Sequence, residues 1–95
     1  MTADQITHVA AKYDRLLAER GIPTHQQDTG KLCPVMWYNH LTHARWMCQE
    51  ISGNFLADLV QKDQSAKAER WLCFVQGVLW CEGILTIDEM REDNR

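Results

Sequence analysis

The sequence predicts an all-α fold: one domain over residues 1–95, built as a small bundle of three main helices plus a short C-terminal helix. Three observations carry this reading. Apolar residues recur at steps of three and four, the spacing that gathers side chains on one helix face. Thr2 with Gln5, and Thr86 with Glu89, have the form of a capping box, in which a hydroxyl and a side chain three residues on satisfy the open helix start. Gly21-Ile22-Pro23 and Gly83-Ile84-Leu85 read as helix stops, because glycine accepts the left-handed backbone and the next apolar residue folds back. No segment alternates apolar and polar residues as a half-buried strand would.

The first helix is expected over residues 2–20. Ile6, Val9, Tyr13, Leu16 and Leu17 share one face, and Lys12, Asp14, Arg15, Glu19 and Arg20 occupy the rest. Residues 21–33 form a polar connection, long for a bundle, that is either a crossover or a functional loop. The longest helix is expected over residues 34–62, starting at Pro34. Trp37, Leu41, Ala44, Cys48, Ile51 and Phe55 form a heptad seam that Leu59 continues. Asn39, Thr42, Gln49 and Asp58 lie opposite it. Gly53 is a weak point where the helix can break, since glycine costs about 1 kcal/mol against alanine in a helix interior. Gln61–Gln64 is a polar hinge.

The stretch Trp71 to Cys81 is the most apolar in the chain, with Gln76 its only strongly polar side chain. It is expected to be the core of a central helix running from about 66 to 82, with Ser65 as N-cap. Ala68, Leu72, Val75 and Leu79 form one stripe. Trp71, Phe74, Val78 and Cys81 form a second, which the first helix could cover. Cys73, Gly77 and Trp80 make a face that is small in its middle, where a neighbouring backbone could approach. In the terminal helix, Ile87 and Met90 are expected to dock on the bundle, and residues 92–95 to fray.

Composition limits the function classes. The chain is 45% hydrophobic and 24% charged, so it is globular rather than a tail. A net charge of −3 with no basic face excludes ordinary duplex-DNA binding. No basic n-region and apolar h-region follow Met1, and no run reaches the roughly 20 apolar residues of a membrane span. The expected location is cytoplasmic, with Cys33, Cys48, Cys73 and Cys81 as reduced thiols.

Candidate sites are few. His40 and His43 share a helix face and Cys48 lies five residues on, so a thiol or metal site using Cys33, His40, His43 and Cys48 is one alternative. No tight ligand pair of the zinc-site kind supports it, and buried cysteines with solvent-facing histidines are the plainer reading. Cys33 near a helix start could be an activated thiol, with His25, His40 or His43 as base. Glu50 with Asp58, or Glu82 with Asp88 and Glu89, could be paired carboxylates, but both sets read as solvated or capping groups. The expectation is therefore no catalytic residue, no metal and no cofactor.

The stronger signal is aromatic. Four tryptophans, Trp37, Trp46, Trp71 and Trp80, exceed what a small core needs, and tryptophan is enriched at binding hot spots. The expected interface residues are Trp46 and Met47 flanked by His43 and Glu50, and then Trp71, Phe74 and Trp80. A single-stranded nucleic-acid binder is the other alternative, with Arg45, Lys67 and Arg70 beside the tryptophans.

The pattern from Ala68 to Trp80, followed by Gly83 and Thr86 to Arg91, resembles small uncharacterised accessory proteins of phages and prophages. Asp14 to Leu17 and Arg20 to Pro23 fit the same resemblance. It brings no reaction, cofactor or site residue. It implies a class of role, in which a small protein binds and redirects a host protein. The sequence thus points to a non-catalytic protein-binding accessory protein, acting through an apolar aromatic helix face on a host or bacterial protein or on its own copy as a homodimer.

Overall fold

The computed structural model describes residues 1–33, 39–53 and 65–95. Pro34, Trp37, Phe55, Asp58, Leu59 and the Gln61–Gln64 hinge, all assigned from the sequence, lie outside the described residues. Four helices form among the rest: α1 (Ala3–Glu19), α2 (Asn39–Ser52), α3 (Ser65–Cys81) and α4 (Ile87–Asp93). The fold is all-α, three main helices with a short C-terminal one, as the periodicity requires.

Helix α1 starts with the expected capping box. The Thr2 hydroxyl accepts from the Gln5 backbone N–H at 3.1 Å, and the Gln5 side chain reaches back to the Thr2 N–H at 3.4 Å. It ends at Gly21, whose φ of 76° is open to glycine at little cost. The Ile22 N–H then bonds the Leu17 carbonyl at 3.0 Å, and Ile22 is buried behind the turn. The same solution closes α3: Gly83 has φ 71°, the Ile84 N–H bonds the Leu79 carbonyl at 2.9 Å, and Leu85 is buried. The second capping box, Thr86 with Glu89, opens α4.

The core joins one face of each main helix. Ile6, Val9, Ala10, Tyr13 and Leu17 come from α1, Leu41, Ala44, Met47, Cys48 and Ile51 from α2, and Ala68, Leu72, Val75 and Leu79 from α3. Helix α2 is the middle layer, packed broadly on α1 and on α3, while α1 and α3 meet more sparsely. Arg45 fastens the first pair. Its Nε bonds Asp14 Oδ1 at 2.8 Å and its Nη1 bonds the Ile22 carbonyl at 2.6 Å.

Four points are corrected or settled. The helix expected over 34–62 breaks at the weak point the sequence marked: α2 ends at Ser52 and Gly53 lies in a turn. Ser52 Oγ bonds the Cys48 carbonyl at 2.9 Å, a side-chain competitor to the helix ladder, and it precedes the residue least suited to continue. Thr42, expected opposite the seam, is buried, its hydroxyl satisfied by the Asn39 carbonyl at 2.8 Å. Ile87 does not dock and stays 45% exposed, whereas Met90 packs on the core.

The C-terminus is the fourth. Asp93 and Asn94 do not fray but join a polar network built on Gln76. Gln76 Nε2 donates to the Tyr13 hydroxyl at 3.0 Å and to Asn94 Oδ1 at 2.7 Å, and Asn94 Nδ2 returns a bond to Gln76 Oε1 at 3.2 Å. The Tyr13 hydroxyl donates to Asp93 Oδ2 at 2.6 Å, and Lys12 Nζ pairs with Asp93 Oδ1 at 2.7 Å. The polar residue inside the apolar stretch is thus the anchor of the C-terminal helix.

Candidate interaction face

Helix α3 buries only one of its two apolar stripes. Ala68, Leu72, Val75 and Leu79 are fully buried against α2 and α1. The second stripe is not covered by α1, which lies across α2: Phe74 remains 57% exposed, Cys81 is exposed, and Trp71 and Val78 are half-buried. A face can be apolar and uncovered only at a cost in water, and such patches mark sites where another molecule binds.

The two groups of residues expected at an interface converge here. On α2, the rings of His43 and Trp46 stack, with centroids 5.4 Å apart and planes at 29°. Trp46 in turn meets Trp71 of α3 at 5.8 Å and 40°. The line of rings crosses from one helix to the next. Around it lies a groove of about 440 Å³ lined by His43, Trp46, Met47, Arg70, Trp71 and Phe74, with Gln26 and Thr29 of the loop as its rim. A shallow apolar surface around Phe74, Gly77 and Trp80 continues it along α3, and Trp80 is 50% exposed there.

Two of the expected interface residues have other positions. Met47 is buried and forms the floor of the groove rather than an exposed flank. Glu50 is half-buried and does not line it. The sequence left the 21–33 loop open between a crossover and a functional segment and assigned no interface residue to it. Gln27 donates its backbone N–H to His43 Nδ1 at 3.0 Å, and the His25 N–H bonds the Thr42 carbonyl at 3.2 Å. The loop is thereby pinned along α2 and supplies one wall. Its unusual length was the available signal.

That bond also sets the state of His43. An Nδ1 that accepts a hydrogen bond carries no proton, so the ring is the neutral tautomer with its proton on Nε2. Burial pushes its pKa below the ordinary imidazole value, in the same direction.

The thiol and metal alternative finds a partial setting. Cys33, His40 and His43 line one cavity of about 180 Å³ beside the groove, together with Asp28 and Lys31. Cys48 is not with them. It is fully buried in the core, where burial pushes its thiol up to about 12 and keeps it protonated. His40 instead bonds Glu82 at 2.5 Å. Among the described residues no three metal-ligating side chains gather, and no disulfide joins any of the four cysteines. Of the cations expected beside the tryptophans, Arg45 is held by Asp14 and the Ile22 carbonyl, Arg70 lines the groove, and Lys67 is not among the groove's lining residues. No described helix is long and apolar enough to cross a membrane.

No family model, no curated protein and no solved structure was found to match this chain.

Proposed function

We propose that this chain is a non-catalytic binding protein whose aromatic groove takes an apolar segment of a protein partner. The observation that supports this is the convergence of His43, Trp46, Met47, Trp71 and Phe74 from two helices onto one open groove. Large aromatic rings held by packing, with one cation at the rim, have the character of a binding hot spot. The resemblance of residues 68–91 to phage and prophage accessory proteins favours a host protein as that partner and a cytoplasmic setting. Nucleic acid is the weaker reading: Trp46 and Trp71 already pack on each other, which leaves no slot between them for a base.

Affinity capture from a bacterial lysate tests the proposal. Phe74→Ala and Trp80→Ala remove exposed rings and spare the core. The expected result is that both variants, shown folded by circular dichroism, lose the proteins that the parent retains. Retention of the same proteins by both variants contradicts the proposal. Salt-dependent quenching of tryptophan fluorescence by oligonucleotides would replace it with single-stranded nucleic-acid binding.

A further inference from the structure

We infer that the outer face of α3 pairs with a second copy of this chain, the two helices antiparallel and crossing at Gly77. The inference rests on the binding role proposed for the aromatic face and adds a second copy of the chain to the foreign partner proposed there. Three observations carry it.

The first is Gly77 itself. It sits in the middle of a 17-residue helix, where glycine is among the poorest residues. Among the described residues nothing explains it: a Cβ there meets no described atom within 4 Å, and the φ is not in the left-handed region. Its side of the helix is exposed, directly opposite the buried stripe of Ala68, Leu72, Val75 and Leu79. A notch that no described neighbour fills is what close approach of an outside backbone requires.

The second is the sequence on either side of the notch. Phe74 and Trp80 stand three residues from Gly77 in each direction, and Cys73 and Cys81 stand four, all exposed. At about 1.5 Å of rise per residue, the cysteines lie about 6 Å to either side of the notch. An antiparallel copy crossing at Gly77 therefore sets each Cys73 at the level of the other copy's Cys81, and each Phe74 at the level of its Trp80. This is an isologous contact, the same patch used twice. A foreign helix could enter the notch but would make no use of the symmetry.

The third is charge, which selects the direction. Among the described residues Arg70 is exposed and makes no ion pair, one turn before the apolar face begins. A parallel pair would bring the two Arg70 side chains together. The antiparallel pair separates the two Arg70 side chains and brings each toward the other copy's helix end, where the last carbonyls are negative; Glu82 there is already paired with His40 of its own chain.

Sedimentation velocity on the full chain, from micromolar to millimolar, together with cysteine trapping, tests this. The parent is expected to show a reversible monomer–dimer equilibrium. Gly77→Leu fills space that no described residue occupies, so circular dichroism and thermal midpoint should hold or rise while the dimer Kd increases about tenfold or more. In a Cys33→Ser background, diamide takes two electrons and two protons from a facing thiol pair. The expected disulfide joins Cys73 of one copy to Cys81 of the other, and either Cys73→Ser or Cys81→Ser abolishes it. A parent that stays monomeric, a Gly77→Leu dimer as tight as the parent, or a Cys73–Cys73 bridge overturns the inference. A monomer that still captures a foreign protein through Phe74 overturns the self-pairing alone. A dimer that captures none leaves the pairing intact and removes the foreign partner.

Discussion

Tyr13 and His43 are the two residues whose chemistry the surrounding structure alters most usefully. Burial, reinforced by the bond to Asp93, raises the Tyr13 pKa well above the usual phenol range. The hydroxyl therefore stays protonated and links Gln76 to Asp93. Tyr13→Phe leaves both of those groups short of a partner, and the expected loss is about 1–3 kcal/mol in urea unfolding. No measurable change would mean the network is ornamental. A raised native pKa also means the stability it gives is complete below about pH 10 and falls as pH rises beyond it, because the unfolded tyrosine ionises first. His43 works in the opposite sense. Its native pKa is lowered, so the unfolded chain takes up the proton first, and stability falls as pH drops below about 6.5. Compared with His43→Leu, the parent should lose urea stability more steeply between pH 7 and 5, with faster hydrogen exchange at the Gln27 amide. The other histidines are common to both proteins, so the difference between them isolates His43. Equal slopes would contradict this reading.

At the scale of elements, glycine is the clearest discriminator, because Gly77 and Gly83 sit six residues apart under opposite demands. Gly83 has a φ of 71°, so Gly83→Ala should cost about 1 kcal/mol. Gly77 is helical, with no described atom within 4 Å of its Cβ position, so Gly77→Ala should stabilise the dilute monomer by about 1 kcal/mol. Thermal melts at low concentration read both signs. Helix ends were the most legible part of the sequence, since capping boxes and glycine stops are local chemistry that needs no tertiary knowledge. The end of α4 was not legible. Residues 92–95 look like a fraying tail until Tyr13 and Gln76, 80 and 18 residues away, are brought to them. Deleting residues 93–95 should therefore lower the thermal midpoint, where deletion of a frayed end would leave it unchanged.

For the whole molecule, the order of packing decides what is core and what is surface. The spacing showed that α3 is apolar on two sides, but spacing cannot say which neighbour covers which side. With α2 as the middle layer and α1 beyond it, only one stripe is buried, and the other is left outward. The same limit explains Met47. Its place off the seam suggested exposure, yet it is buried at the groove where two helices meet. Candidate residues from separate helices were readable one by one. Their union into a single groove, and the loop pinned beside it by His43, came only from the fold. The central claim is that this outward side of α3, with the adjoining groove, is where the molecule makes its intermolecular contacts. Amide and tryptophan-indole NMR spectra, recorded as protein concentration is raised, test it most directly. The account predicts shifts and broadening at Cys73, Phe74, Gly77, Trp80 and Cys81, with the outward residues of α1, such as Asp4, His8, Ala11 and Arg15, unmoved. Perturbation of those α1 residues, with Phe74 and Trp80 unchanged, would contradict it.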